Sequence, residues 1–210
     1  MLNTVIFDMD GTLYDTEKIY RMGWLEAGVP LSMYEGFIGT SRVHIFETLA
    51  ENGFDPEAVF EKRTICVERE LAKGIEIKPG AVEALTWLKE NGWTSLIATS
   101  SKAETAYRYL KETGMGHFFA DVVSGNQLEH GKPSPDIFLM AAEQAGKTPA
   151  ECVVVEDSFN GVRAGRAANM YTVMVPDLAQ PDEEIRAAAD IILPSLSELP
   201  ACLLAACRRN

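Results

Sequence analysis

A chain of 210 residues, 47% apolar and 24% charged, is long enough to bury one domain carrying an insertion. Its formal net charge of −12 argues against broad contact with nucleic acid or an anionic membrane, but leaves room for a small anionic substrate where positive charge is concentrated. The four cysteines, Cys66, Cys152, Cys202 and Cys207, form no CxxC pair and accompany only three histidines, which argues against a zinc cluster or a disulfide framework. No stretch approaches the roughly 18 apolar residues of a membrane span, so a cytoplasmic protein, monomeric by default, is expected.

In chain order, the apolar run Val5–Phe7 ends on paired aspartates, Asp8 and Asp10. From Asp15 to Lys78 no strand pattern occurs, only helical stretches such as SRVHIFETLAENG and DPEAVFEKRTICVERELAKG. Residues 15–78 are therefore expected to form a small helical domain inserted into a core made of 1–14 and 79–210, over the carboxyl edge of its sheet. Pro79-Gly80 introduces the helix VEALTWLKENG, which stops at Gly92. Strands are expected at Thr94–Ala98 and Asp121–Val123. Ser134 as N-cap and Pro135 in the first turn begin DIFLMAAEQAG, which stops at Gly146. Further strands are expected at Val153–Val155, Thr172–Val175 and Asp190–Leu193, and LSELPACLLAACRRN reads as a closing helix with arginines at its negative end. The strands are too continuously apolar to own a solvated face. An α/β fold with a mainly parallel sheet follows.

Four segments stand just after strands: FDMDGT (7–12), ATSSK (98–102), GKPSPD (131–136) and VVVEDSFNG (153–161). Each alone has an ordinary explanation: a turn, a helix cap, a solvated lysine, a helix start. A parallel sheet, however, brings all four to one edge. Carboxylates without a histidine cluster form an oxygen-ligand set suited to Mg²⁺, while hydroxyls and free N–H groups at a helix start suit phosphate. Asp8, Glu156 and Asp157 carry −3 when ionised, and Lys132 with Mg²⁺ supplies +3. Without the metal the site stands near −2, and each like-charge pair at about 5 Å costs roughly 3 kcal/mol at an effective dielectric of about 20. Metal and phosphate therefore imply one another.

The segments DMDGT, TSS, KPSPDIF and EDSFNGVRAG, in this order, resemble the four motifs of the haloacid dehalogenase superfamily, and most closely its β-phosphoglucomutase-like branch of phosphatases and mutases. The likeness covers nearly the whole chain. It implies a Rossmann-like parallel core with an inserted α-helical cap, and roles by position. Asp8 would be the nucleophile that forms an aspartyl-phosphate. Asp10 would be the general acid and then the base, lending its backbone carbonyl to the metal. Gly11 would relieve the turn and Thr12 would cap the following segment, both beside the substrate. Thr99 would be the phosphate ligand, with Ser100 and Ser101 as less favoured candidates. Lys132 would hold Asp8 and the phosphoryl group together. Asp8, Asp10, Glu156 and Asp157 would hold Mg²⁺.

In the cap, GTSR (39–42) resembles the segment whose arginine grips a substrate's non-reacting phosphate, making Arg42 a candidate sugar-phosphate ligand. Two positions depart from the mutase pattern: Tyr20 stands for a histidine and Ile38 for a lysine. Both favour a phosphatase acting on a small phosphorylated metabolite, since a mutase must exclude water and hold a bisphosphate. A β-phosphoglucomutase is the alternative, and a non-catalytic phosphate-binding protein is a third reading. GNQLEHGKP fails as an NTPase phosphate loop, with five residues between its glycines and proline after the lysine. His44, His117 and His130 read as structural or surface residues, and Trp24, Trp87 and Trp93 as packing. Asn169 replaces a usual glycine where a left-handed backbone is expected.

Overall fold

The computed structural model describes residues 1–37, 42–125 and 128–208. Ile38 and positions 39–41 of the GTSR segment, together with Asn126 and Gln127 of the lysine loop, lie outside the described residues. Continuous β-branched runs give the strands β1 (Thr4–Phe7), β2 (Thr94–Thr99), β3 (Asp121–Ser124), β4 (Cys152–Glu156) and β5 (Tyr171–Met174), mostly buried on both faces, and a partly exposed β6 (Ile191–Ile192). They form one parallel sheet in the order β3-β2-β1-β4-β5-β6. Only two residues pair as β6 where four are expected. Its flanks nonetheless continue the ladder, since Asp190 and Leu193 donate their N–H groups to Thr172 and Met174 carbonyls.

The chain leaves β1 in one direction to build β2 and β3, then returns to build β4 to β6 on the other side. The ends of β1 and its two neighbours are thus the point where strand order reverses, the usual ligand edge of such sheets. Ile6, Ala98, Val123 and Val154 of the sheet pack against Ile137, Phe138, Ala141 and Ala164 of two covering helices in one buried cluster.

Contacts divide the chain into two compact units, Met1–Tyr14 with Glu76–Asn210, and Asp15–Ile75. The second unit holds α1 (Glu17–Glu26), α2 (Leu31–Phe37), α3 (Arg42–Glu51) and α4 (Pro56–Leu71). Asp55 caps α4 by accepting from the Glu57 and Ala58 N–H groups. Its core is aromatic: the Trp24 ring meets Phe37 at 5.3 Å and Phe60 at 5.0 Å, edge-on, and Tyr34, Leu49 and Val59 complete the cluster. Residues 76–78, assigned to the insertion by sequence, group instead with the sheet unit. There Lys78 N–H donates to the Leu13 carbonyl, Ile77 bridges Tyr14, and the Lys78 ammonium pairs with Asp177 at 2.7 Å.

The sheet unit adds α5 (Ala81–Glu90), α6 (Ala103–Thr113), α7 (Asp136–Gln144), α8 (Phe159–Ala167), α9 (Glu183–Ala188) and α10 (Leu199–Cys207). At the start of α7 the expected cap differs. Pro135 occupies the cap position, and the Ser134 hydroxyl donates to the Asp136 carboxylate at 2.8 Å rather than accepting from backbone. Asn169 adopts the left-handed conformation at φ 56°. Trp87 and Trp93 pack on one another, with ring centroids 6.5 Å apart. No disulfide links the four cysteines, and among the described residues no helix is long and apolar enough to cross a membrane.

Candidate active site

Asp8 is the first residue beyond β1, and its N–H still donates to the Val155 carbonyl at 2.9 Å. Its side chain is thereby fixed between the ends of β1 and β4. The next residues turn sharply: Gly11 has φ 84°, and a Cβ there would stand 2.3 Å from Asp157 Oδ2. Glycine is required at this position for both its backbone conformation and the close approach. Thr12 departs from its expected role. Fully buried, it donates its hydroxyl to Asp157 Oδ1 at 2.8 Å, steadying a carboxylate 145 residues away instead of capping the following segment.

Lys132 is the hub. Its ammonium donates to Asp8 Oδ1 at 2.5 Å, Glu156 Oε1 at 2.6 Å and the Ala98 carbonyl at 3.2 Å. Three donors meet three acceptors, so a side chain only 8% exposed is fully satisfied. Burial works against the ammonium, but Asp8 and Glu156 outweigh it and hold the pKa above the usual lysine value. Burial acts in the opposite sense on Asp8, pushing its carboxyl from 3.8 up to about 7, with Lys132 pulling down and Glu156 pushing up.

Glu156, with no exposed surface, has its second oxygen occupied as well. Oε2 accepts from the Asp157 N–H at 3.0 Å, the Ser158 N–H at 2.9 Å and the Ser158 hydroxyl at 2.9 Å. Room for this carboxylate exists only because position 161 is glycine: a Cβ on Gly161 would fall 1.8 Å from Glu156 Oε1. Ser158 also caps α8 by accepting from the Gly161 N–H at 3.1 Å. Ser158 and Gly161 were not singled out by sequence reasoning, although both lie in the EDSFNG segment. A cap residue and a glycine one turn into a helix were the available signals.

Thr99 ends β2, buried, and its hydroxyl oxygen accepts the Ser101 N–H at 3.0 Å. Ser100 is exposed. Ser101 donates its hydroxyl to Asp10 Oδ2 at 2.7 Å. Hydrogen bonds therefore link Asp8, Lys132, Glu156, Asp157 and Thr12, Gly11 lies close against Asp157, and Ser101 joins Asp10 to Thr99. Arg42 and Tyr20 belong to the helical unit. The Arg42 guanidinium lies over the Phe46 and Phe60 rings, 5.0 Å from each, and Arg63 lies over Tyr20 at 5.3 Å.

One oxygen each from Asp8, Glu156 and Asp157 lies within 4.8 Å of the others. An all-carboxylate set of this span fits a hard divalent cation such as Mg²⁺. With all three Lys132 donors engaged, such a cation would balance the carboxylate charge that remains.

Comparison with known proteins places the chain in a family. The model of the haloacid dehalogenase-like hydrolases matches residues 2–169. The chain is 32% identical over 180 residues to the fructose-1-phosphate phosphatase YqaB of Escherichia coli (strain K12), covering 81% of this chain and 95% of that one. Its fold matches a haloacid dehalogenase-like protein of unknown function from Agrobacterium tumefaciens str. C58 with a TM-score of 0.84, at 27% identity, over 99% and 100% of the two chains. It also matches the β-phosphoglucomutase of Clostridium difficile with a TM-score of 0.78, at 26% identity, over 95% and 93%. The chain belongs to the haloacid dehalogenase-like hydrolase family.

Proposed function

We propose that this hydrolase is a Mg²⁺-dependent phosphatase of small phosphomonoesters, sugar phosphates foremost, working through an aspartyl-phosphate on Asp8. The observation that carries the reading is the Lys132 ammonium held between Asp8 and Glu156, with Asp157 alongside. A side-chain oxygen of Asp8 attacks phosphorus, and the ester oxygen leaves with a proton from Asp10. Asp10 then takes a proton from water, the resulting hydroxide attacks the same phosphorus, and phosphate departs with Asp8 restored. Lys132 holds Asp8 in place and offsets the phosphoryl charge, while Thr99 and the neighbouring Ser100 offer hydrogen bonds to its oxygens. Asp8, Asp157, Glu156 and the Asp10 carbonyl would hold Mg²⁺, which supplies the remaining positive charge. Arg42 keeps the candidate sugar-phosphate role that the family resemblance implies, and Tyr20, standing where the mutases carry a histidine, is a candidate substrate contact. Replacing Arg42 with alanine is then expected to raise KM more than it lowers kcat.

The phosphatase-named relative supports hydrolysis, and its printed substrate supports a sugar phosphate. Likeness to a β-phosphoglucomutase keeps the mutase as second reading, against which stand Tyr20 and Ile38. Phosphate release from a panel of phosphomonoesters, with and without EDTA, tests the proposal. Release that is undiminished by EDTA contradicts it. Glucose 6-phosphate outpacing free phosphate, from β-glucose 1-phosphate with a trace of bisphosphate and Mg²⁺, would favour the mutase.

A further inference from the structure

Resting on that reading, we infer that Ser101 is a positioning residue for the acid–base Asp10 rather than a ligand of the substrate. Its hydroxyl donates to Asp10 Oδ2 at 2.7 Å, across 91 residues of sequence. A serine side chain is a useful support only if its own backbone is fixed, and here it is fixed from both sides. The Ser101 N–H donates to Thr99 Oγ1 at 3.0 Å, and the Ser101 carbonyl accepts from the Ser124 hydroxyl at 2.6 Å. Ser124 is the last residue of β3, so the support runs from the sheet edge through Ser101 to the carboxylate.

Asp10 itself sits in a turn, bridged to Tyr14 and followed by the left-handed Gly11, whose N–H donates to the Tyr14 carbonyl at 2.9 Å. Its backbone is therefore set by the nucleophile loop, and the direction of its side chain is set by Ser101. Acid–base catalysis requires the carboxyl within hydrogen-bond reach of the leaving oxygen and later of water. A hydroxyl donated to Oδ2 restrains the carboxyl in the rotamer that this bond selects. The adjacent exposed Ser100 has no such bond to Asp10, and remains a candidate for the phosphoryl group.

The two roles for Ser101 separate by leaving group. An alkyl phosphate needs a proton on its departing oxygen; p-nitrophenyl phosphate releases a stable phenolate without one. We therefore compare wild type, Ser101→Ala and Ser101→Thr on fructose 1-phosphate and, by burst kinetics, on p-nitrophenyl phosphate. Ser101→Ala is expected to lower kcat on the alkyl ester by about tenfold to a hundredfold, with KM within about twofold, a part of the full acid–base contribution. The nitrophenolate burst is expected to fall by less than about threefold, and Ser101→Thr to restore most of the alkyl turnover. Ser124→Ala, which frees the Ser101 carbonyl, serves as second variant and is expected to show a smaller loss of the same pattern. Equal losses on both esters, or a loss expressed in KM, overturn the inference. If wild type releases no phosphate from either ester, the phosphatase reading fails and not the positioning role alone.

Discussion

The sheet edge and the helical unit handle charge in opposite ways. At the edge, the side chains of Asp8, Lys132, Glu156 and Asp157 are buried, and Lys132 pairs with both Asp8 and Glu156. In the helical unit the core is aromatic, and the half-exposed Arg69 clasps the half-exposed Glu26 at 2.7 Å and reaches Glu70 at 3.0 Å. Strength of an ion pair thus depends on solvent. Buried pairs cannot be broken cheaply, while exposed ones contribute little because water and salt replace the partner.

Chelation tests the edge most severely: with a divalent cation bound as proposed, EDTA is expected to abolish phosphate release and excess Mg²⁺ to restore it. Lys132→Met comes next. It strands two carboxylates in low dielectric and is expected to cost about 3–5 kcal/mol of stability, and at least about a hundredfold in kcat. Trp24→Ala probes the other region. Loss of its contacts with Phe37 and Phe60 is expected to cost about 3–5 kcal/mol, measured by urea unfolding, with the sheet unit's Mg²⁺ response retained.

Protonation separates the regions more finely. In the metal-free protein Asp8 titrates at about 7 when folded, against 3.8 ordinarily. Folding therefore favours its protonated form, and the stability this contributes is full below about pH 4 and is lost as pH rises towards 7. Mg²⁺ needs the ionised form, so its stabilising effect on the melting temperature is expected to be larger at about pH 8 than at about pH 6. The smallest effect belongs to the exposed pairs. Arg69 and Cys66 hold the Glu26 carboxyl down to about 2, yet Glu26→Gln is expected to leave the melting temperature nearly unchanged.

The two regions were also unequally legible in the sequence. At the edge, residue identity carries the chemistry: DMDGT, TSS, KPSPD and EDS mark their positions because few other residues can do the same work. The β-α rhythm then pointed to a mainly parallel sheet, without giving its strand order. Partner choice was not legible. Thr12 finding Asp157, Ser101 finding Asp10, and Gly161 making room for Glu156 are long-range or steric facts with no local signature. In the helical unit, periodicity revealed helices but not how they mesh. That Trp24 meets both Phe37 and Phe60, or that Arg42 lies over Phe46, depends on interhelical register that amphipathic spacing leaves open. The boundary at residue 78 missed by three positions for a similar reason, since Ile77 and Lys78 are held by backbone bonds to Tyr14 and Leu13.

The most direct test replaces one atom. Asp8→Asn keeps the size and shape of the side chain while removing the carboxylate proposed to attack phosphorus. Phosphate release from the best substrate of the panel, measured beside wild type, is expected to fall by at least about 10⁴-fold. Turnover by Asp8→Asn at the wild-type rate would contradict the account.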